Sequence, residues 1–236
     1  MRQSLVLCLA FALAAAEPVA AHSNLPAVAG EREPVELASV HAAVGPIDNE
    51  ATWFAKRSGY QVPIASLTKL MTALVVLESG EPLDEWLEVV ERDHAPPNNA
   101  YSRIRIGSEL TRRNLLRIGL MSSENLAVHV LASHHPGGRE AFIEAMNRKA
   151  EGLGMEQARF VDPSGLSPDN VASADGVLRL VRAAYRHREI RRLSTTTYHR
   201  ARFRSPRYAL AYGNTNPLLN NPNWDVSLTK TGYLVE

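Results

Sequence analysis

Ala65-Ser-Leu-Thr-Lys-Leu-Met-Thr-Ala73 governs how the rest of this chain is read. Ser66 and Lys69 are three residues apart, so on a helix they share a face and their side chains can meet. A serine hydroxyl is a poor nucleophile until a neighbouring base takes its proton. A lysine is such a base only when burial or a second cation lowers its pKa from about 10.4. The positive end of a helix dipole adds to that push and favours a developing oxyanion beside the serine. Met71, Leu74, Val75 and Leu77 make the stretch from about Ser66 to Glu78 apolar on more than one face, which predicts a helix buried mid-domain and ended at Gly80. Alone, S-x-x-K is weak, because a capping serine followed by an exposed lysine has the same spacing.

Outward from this helix, Glu36–Val44 and Trp53–Lys56 read as two strands joined through the turn residues 45–50, a hairpin. Thr111 reads as the N-cap of a helix carrying Leu115, Leu116 and Ile118. Another helix follows with Leu126, Ala127, Val130 and Leu131, and a third spans about 138–151. Ala95-Pro-Pro-Asn-Asn99 and Phe160–Pro168 are loops by their Pro and Gly content. Asp175 reads as the cap of a further helix. Between Arg179 and Arg207 stand ten arginines and one acid, Glu189. These fit a solvated helix face and a basic loop, with no nucleic-acid motif to support that kind of partner. Tyr208–Tyr212 and Asp225–Tyr233 have strand character. The layout is a hairpin, a long helical insert and returning strands. It predicts an α+β fold with an antiparallel sheet built from both chain ends, helices packed on it, and an all-helical insert.

The 236 residues, 45% hydrophobic and 22% charged, suit one large soluble domain or two small ones, and a net charge of +1 names no partner. Arg2, the apolar run 5–16 and the small-residue exit at 18–21 read as a secretory signal peptide over residues 1–21. That run is too short to remain as a permanent transmembrane helix. Residues 22–35 read as a flexible leader and 36–236 as the folded domain. Cys8 is the only cysteine and lies in the signal, so the mature chain has no disulfide or thiol chemistry.

Two further clusters carry chemistry. In Met121-Ser-Ser-Glu-Asn125, Ser123 and Asn125 would point apart on a continuous helix. They serve one site only if the chain breaks there, and the apolar phase does change between Met121 and Leu126. Otherwise Ser123 simply caps a helix. In Lys230-Thr231-Gly232 the expected strand sets Val226, Leu228 and Lys230 on one face. A buried cation is costly unless something needs it, such as a substrate carboxylate. A lysine snorkelling to water is the plain alternative.

S-x-x-K, S-x-N and K-T-G in this order resemble the penicillin-recognising serine enzymes. Residues 63–73, 103–107, 120–125, 136–142, 160–166 and 224–233 are similar to the low-molecular-mass penicillin-binding proteins, most of all the D-alanyl-D-alanine endopeptidase type. The resemblance covers about residues 36–236. It implies that Ser66 forms an acyl-enzyme, Lys69 takes its proton and Ser123 relays a proton to the leaving amine. By the same resemblance Asn125 orients Lys69 and binds the substrate amide, Lys230 holds Ser123, and Thr231 receives the substrate carboxylate. Gly232 lets the substrate approach, and the N–H groups of Ser66 and Tyr233 form the oxyanion hole. Glu124, where the wider superfamily often has Asp, is expected to point away from the site. Peptidoglycan peptides are the implied substrates, β-lactams the implied inhibitors and the periplasm the implied location, with no metal or other cofactor. The family also has strands and a helix after the K-T-G strand. The sequence stops at Glu236, so an incomplete C-terminus and an inactive penicillin- or peptidoglycan-binding remnant are one alternative. A D-alanyl-D-alanine carboxypeptidase is another. A class A β-lactamase would need a deacylating glutamate that Phe160–Leu166 lacks. A zinc peptidase would need ligand spacing that the eight histidines do not show.

Overall fold

Leu70, Met71, Ala73 and Leu74 of the expected central helix have no exposed surface, and the molecule is arranged round them. The computed structural model describes residues 36–92 and 101–233. A 3-10 turn at Ala65–Leu67 leads directly into α1, Thr68–Glu78. Against α1 pack α2 (Arg112–Met121), α3 (Asn125–Ser133), α4 (Gly138–Gly152) and α5 (Ala174–Arg186). The short α6 (Arg188–Ser194) rests on α2 and α5. A helix enclosed by four others must be apolar around its circumference. Each fully buried Leu or Met there contributes roughly 1.5–3 kcal/mol. Thr111 caps α2 as expected, its hydroxyl accepting from the Asn114 N–H.

The strands are antiparallel and are spread along the described chain. They form four two-stranded ladders instead of one sheet. β1 (Ala42–Val44) pairs with β2 (Phe54–Lys56), β3 (Val62–Pro63) with β6 (Val171–Ala172), β4 (Trp86–Glu88) with β5 (Glu109–Thr111), and β7 (Tyr198–Phe203) with β8 (Tyr208–Gly213). Six of these strands are only two or three residues long, and Pro63 has no donor to give a second neighbour. The class is the mixed one read from the sequence, with α2, α3 and α4 forming the helical insert.

Three local readings change. Asp225–Tyr233 is in no ladder, and burial does not alternate along it: Leu228, Thr229 and Lys230 are buried in succession. Side chains hold this segment instead, with Asn216 Nδ2 donating to Thr229 Oγ1 at 2.8 Å. Helix α5 is capped by Ser173, whose hydroxyl accepts from the Gly176 N–H, while Asp175 sits inside the first turn. The arginine-rich stretch contains β7, where Arg200 and Arg202 point outward while Ala201 and Phe203 point inward. Its Arg182 is buried and closes the β1–β2 turn by donating to Pro46 O and Ala51 O. The expected signal peptide at 1–21, the leader at 22–35 and the loop Ala95–Asn99 lie outside the described residues. Among the described residues no helix is long and apolar enough to cross a membrane.

Candidate active site

Ser66 sits in the 3-10 turn at the head of α1, where the first N–H groups have no partner inside the helix. The preceding Ala65 has φ 47°, left-handed backbone that a non-glycine residue rarely adopts. Such geometry costs on the order of 1–3 kcal/mol and clusters at functional sites. One turn on, Lys69 is completely buried. Its Nζ lies 2.8 Å from Ser66 Oγ, 2.7 Å from Asn125 Oδ1 and 2.6 Å from Ser164 O. Two of those neighbours only accept. A neutral amine gives them its two N–H groups, and its lone pair then faces the Ser66 hydroxyl.

The helix break expected before Leu126 is present. Helix α2 ends at Met121 and α3 begins at Asn125, with Ser123 at φ 58° between them. That turn lets Ser123 and Asn125 face one cleft. Lys230 is almost fully buried, and its Nζ donates to Ser123 Oγ at 3.0 Å and to Thr231 O at 2.7 Å. Gly232 runs beside the head of α1. A Cβ added there would meet Ala65 Cβ and Ile64 O at 3.4 Å, so the Gly232 backbone passes close to the residues just before Ser66. The three motifs therefore converge, with one cluster on Lys69 and another on Lys230, joined by the Ser123 turn.

Sequence reasoning missed two parts of this site. The loop after α4 supplies Ser164 O to Lys69. Asp162 shapes that loop, its carboxylate accepting from the N–H groups of Ser164, Gly165 and Ser167. Asn170 accepts from the Val161 N–H and donates to Thr68 Oγ1, and Thr72 Oγ1 donates to Pro163 O, which pins the loop to α1. The D-P-S-G run was the available signal, since an aspartate before Pro and Gly favours such a turn. The second part is Glu124. Its carboxylate accepts from the Leu126 N–H at 3.2 Å and caps α3, a structural tie beside the site. Burial raises its pKa, and its charge acts on Lys69.

Burial is the first cause that brings the Lys69 pKa well below the ordinary lysine value, and the Lys230 charge is the second. Asp162 and Glu124 oppose this. Burial alone pushes Lys230 down to about 7. Among the described residues no group of three or more His, Cys, Asp or Glu side chains is placed to hold a metal ion.

A hydroxyl beside a buried amine whose pKa is lowered, at a helix head and faced by a second lysine, defines a serine acyl-transfer hydrolase of the penicillin-recognising class. A family model described as D-alanyl-D-alanine carboxypeptidase matches residues 30–236, and the chain belongs to that family. It is 41% identical to a D-alanyl-D-alanine endopeptidase of Pseudomonas aeruginosa, over 100% of this chain and 76% of that protein. It is 44% identical to a D-alanyl-D-alanine endopeptidase of Escherichia coli, over 84% of this chain and 64% of that one. The chain thus spans about three quarters of the first and less than two thirds of the second. The crystal structure of the Streptomyces K15 DD-transpeptidase shares the fold, with TM-score 0.76 at 22% identity over 87% of this chain and 84% of that one. Penicillin-binding protein D2 of Listeria monocytogenes, in its ampicillin-bound form, matches with TM-score 0.71 at 26% identity over 86% and 82%.

Proposed function

We propose that this serine D-alanyl-D-alanine peptidase is an endopeptidase that hydrolyses the peptide cross-links of peptidoglycan through an acyl-enzyme on Ser66. The observation that carries the acyl-enzyme chemistry is the placing of Lys69 Nζ between Ser66 Oγ, Asn125 Oδ1 and Ser164 O. Deprotonating Ser66 then needs no movement of the base. Ser66 Oγ attacks the carbonyl of a D-alanyl peptide bond and its proton passes to Lys69. The N–H groups of Ser66 and Tyr233 receive the oxyanion, where one lost donor typically costs about 10²–10³ in rate. The Ser123 hydroxyl hands its proton to the leaving amine and takes one in turn from the Lys230 ammonium that donates to it. Asn125, whose Oδ1 is committed to Lys69, offers its amide N–H groups to the substrate backbone. Thr231 and Lys230 receive the substrate carboxylate. Water then releases the acyl group. A β-lactam that has acylated Ser66 keeps its leaving nitrogen tethered and stalls there.

The endopeptidase reading rests on the 41% and 44% identical relatives. The carboxypeptidase reading is supported by the family description and by more distant relatives, 29% identical, named as carboxypeptidases. Peptidoglycan lies outside the inner membrane, and residues 1–21 have the pattern of an export signal, so periplasmic action belongs to the same proposal. Purified protein incubated with cross-linked muropeptide dimers is expected to yield monomers, and Ser66→Ala to yield none and to lose covalent penicillin labelling. Release of free D-alanine from pentapeptide monomers with the dimers left intact would instead assign a carboxypeptidase.

A further inference from the structure

Outside the three motifs, one side chain faces the site from an element with no assigned part. β8 ends at Gly213, and Thr215 follows it. The backbone there is fixed from both sides. Asn214 Nδ2 donates to Ser194 O and Thr196 O. Asn216 donates to Thr229 Oγ1 and accepts from the Leu218 N–H. The Thr215 N–H itself donates to Met121 O at 2.9 Å, the last residue of α2 before the Ser123 turn. This bracing brings Thr215 Oγ1 to 2.7 Å from Thr231 Oγ1. Thr215 is exposed and Thr231 only half buried, so their hydrogen bond satisfies nothing that folding has hidden from water.

We propose that Thr215 is a positioning residue for recognition of the substrate carboxylate, acting through the Thr231 hydroxyl; this rests on the acyl-enzyme reading of the site. Each hydroxyl has one proton. If Thr231 donated to Thr215 it would have none for a carboxylate. Thr215 has one other acceptor in reach, Met121 O, at a long 3.4 Å. Either hydroxyl can donate across the 2.7 Å contact, but once a carboxylate accepts the Thr231 proton, Thr215 is the one left to donate to Thr231. Hydrogen bonds in such a chain polarise one another, and the last one, to a charged oxygen, is strengthened. The ligand class is an organic carboxylate next to the scissile amide.

The test compares acylation of Ser66 by benzylpenicillin and by its methyl ester, which keeps the ring and masks the carboxylate, with intact-protein mass spectrometry. Wild type is expected to prefer the acid. Thr215→Val is expected to reduce the acid-to-ester rate ratio by roughly three- to ten-fold, the size of one hydrogen bond between neutral groups. Thr215→Ser is expected to restore the ratio. A ratio in Thr215→Val equal to wild type, or acid and ester slowed equally, overturns the inference and leaves Thr215 a purely structural tie. If wild type takes neither compound on Ser66, the acyl-enzyme reading itself fails and this inference falls with it.

Discussion

Two buried lysines make this site reactive and cost the fold stability. Lys230 titrates near 10.5 in the unfolded chain and about 7 in the folded one. Between those values the unfolded state binds more protons, so stability rises with pH across that window by about 1.4 kcal/mol per unit. Below about 7 the penalty is present in full. Lys230→Met fills similar space without a charge to desolvate. It is expected to melt at a higher temperature than wild type at pH near 7 while losing peptidase activity, with the gap closing as pH rises toward 10.5. Thermal melts over that range check this. A gap that stays constant would mean the lysine is not held down by burial. Ser66 and Lys69 were legible as a pair because their spacing of three is meaningful only on a helix. Ser164 was not, since it contributes a backbone carbonyl and any residue type carries one.

At the scale of elements, the loop at 160–170 is as much part of the site as α1. Gly165 sits at φ 79°, and a Cβ there would lie 1.8 Å from Ala65 O. Gly165→Ala must therefore push the loop away from the head of α1, and Ser164 O with it. Penicillin acylation is expected to slow by at least about ten-fold, with stability lowered by more than about 1 kcal/mol. Stopped-flow acylation and a denaturant melt measure both. Wild-type behaviour would show that the loop need not touch Ala65. The helices were readable because each has a one-sided or all-round apolar pattern. The region around 198–203 was not, because its outward period is occupied by arginines that hide Ala201 and Phe203. Lys230 was expected on a strand from Val226 and Leu228. The structure keeps the lysine buried but reaches that burial through side-chain ties such as Asn216 to Thr229, which leave no periodic mark in sequence.

For the whole molecule, function depends on three segments far apart in the chain meeting at one helix head. The order of motifs foretold that meeting, and the bracing by Asn214, Asn216, Asp162 and Asn170 was invisible because it runs through polar loops. The meeting lowers the Lys69 pKa beside Ser66, through burial first and the Lys230 charge second. Nuclear magnetic resonance of protein labelled at the lysine side chains tests this most directly, since the sequence has four lysines, Lys56, Lys69, Lys149 and Lys230. Lys69 is expected to lose its proton well below the ordinary lysine value of 10.5, and in Lys230→Met, without the second charge, to lose it at a higher pH than in wild type. A Lys69 that remains an ammonium up to the pH range of an ordinary exposed lysine would contradict the mechanism.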